Sequence, residues 1–461
     1  MLDYLIGFGV VALIIFLILR PRHKALVALI IMTSSFDVVP RVISGIDTWD
    51  IGAVLLMLTG IDVLTRLRRV RVQSHSGVLL AFAAFYAWML VCFIWSLLVY
   101  DYAFLPTAKF ARQMMIGYLS IFIFARLFLA DEGSMKFMLN CLYRITFVLM
   151  PVAIVQYVIH KQILSGTFRD YSGVSRYLPI FLPFCLIHFW QIFSKMLAGD
   201  RVRVHEMIYT MMVLAVVVTT YTRGFYAAVL LGMVFIGGAL LREKKLKAAA
   251  VMKIAAVAAI GVGISAISGS MERAAARFES AVDIAMSNEV KTEEQTDTFT
   301  GRLKILQERL VLVAEYNPLI GYGFLHDLYA PPELMHSLKY GSVIYTEEYE
   351  EKYSYGFPYV KALHSADIGW ADLVLDTGYI GLLLFLIAVG TLIGTYFRTH
   401  DLGKLNSYHL RLALFCQLML FVVLMFESNP FVVNVQVAGW MIAGHAFLAA
   451  QRPLAQRSVF V

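Results

Sequence analysis

Residues Tyr379 to Phe397 read YIGLLLFLIAVGTLIGTYF, a run without a charge and long enough to cross a hydrocarbon core of ~30 Å as a helix. Directly before it stand Asp376, Thr377 and Gly378, and before those lies a long segment of ordinary polar composition, Ser268 to Asp376. That junction sets the fold class. The apolar run needs lipid around it and the polar segment needs water, so the chain crosses a boundary at Gly378-Tyr379-Ile380-Gly381.

Runs of the same kind recur at Leu2–Leu19, Ala25–Ile43, Ile51–Leu64, Val78–Leu98, Met114–Leu129, Phe137–Ile159, Leu178–Phe193, Ile208–Tyr221, Phe225–Leu241, Ala248–Ile267, Leu410–Phe426 and Phe431–Ala450. With Tyr379–Phe397 they make about thirteen spans. Asp37, Pro40 and Arg41 interrupt the second and Asp62 shortens the third, which leaves room there for a tilted or re-entrant piece. The expected fold is all-α, a polytopic transmembrane helix bundle of about 12–13 spans with a large extracytoplasmic loop containing short helices. Its parts are a membrane bundle over residues 1–268, the loop over 269–377 and C-terminal helices over 378–461.

Composition agrees. Hydrophobic residues make up 60% and charged residues 15% of the chain, with a mean hydropathy of +0.72, which excludes an ordinary soluble domain. Cys92, Cys141, Cys185 and Cys416 all sit in apolar runs with no metal-like spacing, so packing is their expected role. A net charge of +7 does not point to nucleic acid, because the basic residues gather in short clusters between apolar runs.

Those clusters give an orientation. Arg20/Arg22/Lys24, Arg66/Arg68/Arg69/Arg71, Lys195/Arg201/Arg203, Arg242/Lys244/Lys245/Lys247, Arg398/Lys404 and Arg452/Arg457 fall in alternate connections and share the cytoplasmic side by the positive-inside rule. The first span then reads as an uncleaved anchor with its N-terminus outside, and the long loop lies outside too.

Some arginines oppose this bias. Arg169 and Arg176 precede the seventh span, Arg223 ends the eighth within Thr222-Arg223-Gly224, and Arg302 lies in the loop. A guanidinium stays charged and matches phosphate oxygens two at a time, so arginines at an outer membrane boundary suit a lipid-linked pyrophosphate. Equally, external arginines can meet headgroups or pair with Asp170 and Glu308. Thr300 to Ala314 reads as an amphipathic helix against the membrane surface, with Arg302 and Arg309 about two turns apart and able to face one polar cleft. Asn317-Pro318-Leu319-Ile320-Gly321-Tyr322-Gly323-Phe324 then forms a tight turn. A Tyr- and Glu-rich stretch from Tyr340 to Tyr359 is either a sugar-contacting surface or a loop with no direct role. His364, near Asp367 and ahead of Asp376, can take a proton from a sugar hydroxyl; as a lone histidine it can also be structural. The chain has no Asp-x-Asp and no phosphate-cradling Gly-rich loop with lysine, which argues against a nucleotide-sugar donor.

Thr-Arg-Gly at Arg223, Thr-Gly-Arg at Arg302, Asn317-Pro-Leu-Ile-Gly-Tyr-Gly, then His364 and Asp376-Thr-Gly-Tyr-Ile-Gly-Leu follow one another around a single loop. In this order they resemble the O-antigen ligase and polymerase family of bacterial envelope glycosyltransferases, most closely over Ile208–Phe397. The resemblance implies a metal-independent, cofactor-free enzyme of the inner membrane that faces the periplasm. It would use a glycan on polyprenyl (undecaprenyl) pyrophosphate as donor and a glycan or lipid A core as acceptor, among membrane lipids and other polysaccharide export proteins. By position Arg223 and Arg302 match the family's pyrophosphate-binding arginines, joined here by Arg176, and His364 matches its essential loop histidine. Arg309, Asp367, Asp376 and Arg169 are accessory candidates. Two departures stand out: Ser365 follows His364 where the family often has Asn, and Asp376 stands where Glu is common. Polymerase of an O-antigen or exopolysaccharide is the favoured reading and ligase the alternative. A lipid-glycan flippase or transporter is the reading from another class, and such a protein should place ionisable residues near mid-membrane, often in related halves.

Overall fold

The structure is a computed structural model that describes residues 12–33, 48–66, 77–108, 132–160, 182–219, 223–247, 299–341, 360–364, 368–398 and 408–424, with residues 110, 111, 115, 123 and 252. Among the described residues every extended regular element is a helix. In chain order these are α1 (Pro21–Thr33), α2 (Thr48–Arg66), α3 (Gly77–Leu98), α4 (Glu132–His160), α5 (Leu182–Ala198), α6 (Val204–Thr219), α7 (Arg223–Arg242), α8 (Phe299–Tyr316), the short α9 (Pro332–Ser337), α10 (Gly369–Arg398) and α11 (Tyr408–Leu424). Helix is what such sequences must form where no water can reach, because each backbone group is then satisfied within its own segment. The apolar runs expected at Met114–Leu129, Ala248–Ile267 and Phe431–Ala450 fall almost wholly outside the described residues.

Two of these helices, α3 and the Gly369–Gly394 part of α10, are long and apolar enough to cross a membrane; α6 and α7 hold shorter apolar stretches. Their outward faces are apolar as well. Leu80, Ile94 and Leu98 on α3, Leu230, Leu231 and Val234 on α7, and Leu383, Leu386 and Ile387 on α10 are all exposed. In water such faces would be patches seeking a partner; against lipid tails they need none.

Helix α3 packs along α10, α1 along α2, and α8 lies on α10. Helix α5 is surrounded by α4, α6, α7 and α11. One apolar core joins Phe82, Phe85 and Met89 of α3 to Phe385, Ala388 and Leu392 of α10, and a second fills the space between α5, α6, α7 and α11 around Trp190, Tyr209, Ile236 and Cys416. Cys92, Cys185 and Cys416 are buried free thiols, in keeping with a packing role. Helices α3 and α10 run antiparallel, since Phe85 meets Phe385 at 5.3 Å between ring centroids while Trp88 meets Thr377. The C-terminal end of α3 therefore lies beside the start of the apolar part of α10, at the end of the pair away from Arg398.

The opposite end of the second core is basic and latched. Ser194 Oγ is 2.8 Å from His409 Nδ1, and His409 Nε2 is 2.6 Å from Asp200. Lys247 N–H donates to the Leu197 carbonyl, and Lys245 Nζ lies 3.7 Å above the Tyr408 ring. Two of the clusters that the sequence assigns to one membrane side thus sit side by side. Arg223, at the far end of α7 from Arg242, is about 30 Å away from them.

Candidate functional site

The site begins with a broken helix. Gly378 in α10 has φ 64 and ψ −169, which a residue with a Cβ rarely adopts. The break divides α10 into Gly369–Thr377 and the long apolar remainder, so the helix starts earlier than the span expected from Tyr379. A break leaves backbone groups without their ladder partners, and the turn after α8 supplies them. Tyr322 N–H donates to the Leu375 carbonyl (2.8 Å), and Tyr379 N–H donates to the Pro318 carbonyl (2.9 Å). The two backbones approach so closely that a Cβ on Gly378 would lie 2.2 Å from the Leu319 carbonyl oxygen, and one on Gly321 2.3 Å from that of Leu375. Both glycines are needed, one on each side of the same contact.

Helix α3 secures the joint. The Trp88 indole N–H donates to the Thr377 carbonyl at 2.9 Å. Ser96 Oγ accepts from Phe324 N–H at 3.0 Å and donates to the Cys92 carbonyl. Tyr100 donates to the Gly321 carbonyl at 2.8 Å and accepts from the Asn317 amide at 2.9 Å. Asn317 Oδ1 in turn accepts from Leu319 and Ile320 N–H, closing the turn on itself. Tyr316 stacks on Tyr322 with centroids 4.3 Å apart, with Tyr100 beside them, the kind of aromatic group found at a membrane–water interface.

The polar centre stands next to this joint. His364 has both ring nitrogens against carboxylates: Nδ1 lies 2.5 Å from Asp327 Oδ1 and Nε2 2.9 Å from Asp376 Oδ1. Asp376 belongs to the last turn before the break, and Asp327 opens the short 3₁₀ turn Asp327–Tyr329. Asp327 also accepts from the backbone N–H groups of Leu363 and His364. Phe110 closes one side, its centroid 4.7 Å from the His364 ring. Burial disfavours a charged ring here, but Asp327 and Asp376 outweigh it and raise the His364 pKa well above its ordinary value. A ring protonated at both nitrogens can donate to both carboxylates at once.

Of the two arginines expected to share a cleft, Arg309 turns fully into the protein. Its side chain donates to the carbonyls of Leu363, Tyr340 and Ala362 and pairs with Glu308. Glu308 itself accepts from Lys339 and Tyr340 N–H. Segment 362–364 is therefore gripped from both sides, its carbonyls by Arg309 and its amides by Asp327. Arg302 lies in the first turn of α8, half-buried, about two turns from Arg309 and so on the same side of the helix. Arg223 begins α7. Arg169, Arg176, Asp367 and the Tyr/Glu-rich stretch from residue 342 lie outside the described residues.

Sequence reasoning missed Asp327, Trp88, Ser96 and Tyr100. An acidic residue soon after the Gly321–Gly323 turn was a weak signal for the first. The other three carry none, for in sequence α3 and the residues just after it offer only an apolar run.

Residues 208–386 match the family model described as O-antigen ligase. The matched segment runs from α6 through the Gly378 break and includes the turn, His364, Asp327 and both carboxylate contacts. No curated protein matches the chain.

Proposed function

We propose that this chain, which carries the O-antigen ligase family's domain over residues 208–386, moves a glycan from a polyprenyl (undecaprenyl) pyrophosphate to a hydroxyl of an acceptor glycan. The family gives a membrane enzyme of polysaccharide biosynthesis, of the ligase and polymerase type. Within it we read a polymerase that builds an O-antigen or exopolysaccharide. The work is divided between a membrane bundle over residues 1–268, a periplasmic catalytic loop over 269–377 and C-terminal helices over 378–461, in the inner membrane of a bacterial envelope.

The observation that carries this reading is His364 held between Asp327 and Asp376 at the broken end of a membrane-length helix. A hydroxyl arriving from water and a donor arriving in lipid would meet there. The acceptor hydroxyl attacks the anomeric carbon, with His364 orienting it or taking its proton. The leaving pyrophosphate needs positive charge, which Arg302 and Arg223, with Arg176, supply in place of a metal ion. Arg169 and Asp367 stand as accessory groups, and Arg309 serves by holding the His364 segment. Ligase action on a lipid A core is the second reading, favoured by the family model's own description.

The test is the length of glycan on the polyprenyl carrier, extracted from cells lacking the chain and from cells carrying His364→Ala. Single repeat units in both mean a polymerase. Long chains stranded on the carrier mean a ligase. An unchanged profile overturns both and returns the transporter reading.

A further inference from the structure

A histidine acting as a base must present a free lone pair to its substrate, and His364 has none to present. Nδ1 faces Asp327 Oδ1 and Nε2 faces Asp376 Oδ1. A neutral ring with its single N–H on one carboxylate would turn a lone pair toward the other, an arrangement stable only if that carboxyl were protonated. Two ionised carboxylates against one ring instead fit a ring with two N–H groups.

Resting on the function proposed above, we infer that Asp327 is a positioning residue that keeps His364 a two-sided donor, so that the group receiving the acceptor's proton is the carboxylate of Asp376. In the step, the acceptor O–H breaks and its proton passes to Asp376. The oxygen bonds to the anomeric carbon, and the bond from that carbon to the pyrophosphate oxygen breaks with its electron pair leaving on the phosphate. His364 does not change protonation. Its cation holds Asp376 in place and opposes the burial that pushes that carboxyl above its ordinary range.

Asp327 is built for this task in a way that a surface acid is not. One of its oxygens meets the ring, and together they accept the backbone N–H groups of Leu363 and His364. Ring and main chain are thus set by one side chain. Among the described residues, charged and titratable groups near the ring come from the 3₁₀ turn, from α10, from α8 and from the ring's own segment. Asp327 stands on the 3₁₀ turn, with His326 beside it across Phe110. Asp376 and Asp372 come from α10, Arg309 and Glu308 from α8, and Lys361 from the segment that carries the ring. Arg309 and Glu308 neutralise each other, which leaves the two aspartates in contact with the ring as the dominant influence.

The experiment uses the full chain in lipid vesicles, with lipid-linked glycan extracted from cells lacking the chain as donor and acceptor, and transfer followed from pH 5.5 to 9. Asp327→Asn keeps an acceptor oxygen but removes the charge. Its alkaline limit moves to lower pH, so that transfer is near wild type at the acid end and falls at least about tenfold short at pH 8. Asp376→Asn removes the proton acceptor and loses about a hundredfold or more at every pH. Asp327→Glu, which restores the charge, recovers the alkaline limb. Uniform loss across the range in Asp327→Asn, or no shift at all, overturns the proposal. If Asp327→Asn does not insert, the Asp327→Glu profile and the flat loss in Asp376→Asn still decide it. Absence of transfer by the wild-type chain contradicts the function instead, which keeps the two failures distinct.

Discussion

Two histidines in this chain each bridge a pair of polar groups, and the partners determine what each can do. His409 lies between a hydroxyl and one carboxylate, Ser194 and Asp200. A neutral ring satisfies both, donating to Asp200 and accepting from Ser194. His364 lies between two carboxylates and needs two protons to satisfy them. The order Ser194, His409, Asp200 resembles a nucleophile with its base and orienting acid. Yet Ser194 is fully buried, 0% exposed, with its hydroxyl taken up by His409. The constellation that looks more like an enzyme is a latch between α5 and α11, and the one with the awkward excess of acid is the proposed site. Residue types alone do not separate them; the proton count and the access do.

Arg309→Ala breaks this comparison most severely. It strips the donor from the Tyr340, Ala362 and Leu363 carbonyls and leaves Glu308 without its cation. Removing one partner of a buried pair costs about 3–5 kcal/mol. Limited proteolysis should then cut the 338–364 region first, while the latch end keeps its resistance. Equal loss at both ends would mean that the loop is no separate unit.

Gly378→Ala comes next. Its backbone, in a region open almost only to glycine, alone costs about 1–3 kcal/mol, and the added Cβ would lie 2.2 Å from the Leu319 carbonyl oxygen. The turn must lift off α10, and transfer in vesicles should drop more than about tenfold with normal insertion. Gly237→Ala, where a Cβ meets nothing within 4 Å, is the control and should leave transfer intact.

A pH series sharpens the contrast further. The raised pKa of His364 means that its contribution to loop stability is fully present below the unfolded value of about 6.5. It is lost as pH rises through the higher folded value. Protection of the Leu363 and His364 amides from hydrogen exchange, corrected for the intrinsic rate, should fall on that alkaline side. A loop that instead loosens on acidification from pH 7 to 6 would contradict the charged ring. The smallest effect belongs to the latch: Ser194→Ala should cost about 1 kcal/mol in thermal stability and leave the carrier-bound glycan unchanged.

Much of this was legible in the chain. The apolar run from Tyr379 and the Asn317–Phe324 turn were plain because glycine, proline and unbroken hydrophobicity act locally, and helix type follows from them. That the turn docks on the break was not, since nothing in Gly321 or Gly378 alone says which backbone approaches it. The helical spacing of Arg302 and Arg309 was readable, but Arg309 faces protein rather than a cleft because Glu308 and three carbonyls surround it. Asp327 escaped notice because its partner lies far along the chain, and Trp88, Ser96 and Tyr100 because a polar atom in an apolar run shows its purpose only when a neighbour's unsatisfied backbone is seen beside it.

The most direct measurement complements cells lacking the chain with His364→Ala and, separately, with His409→Ala, and reads the glycan held on the polyprenyl carrier. The expected result is donor accumulating on the carrier with His364→Ala, as in cells without the chain, and a wild-type profile with His409→Ala. Accumulation with His409→Ala and none with His364→Ala would place the chemistry at the other end of the molecule and contradict the account.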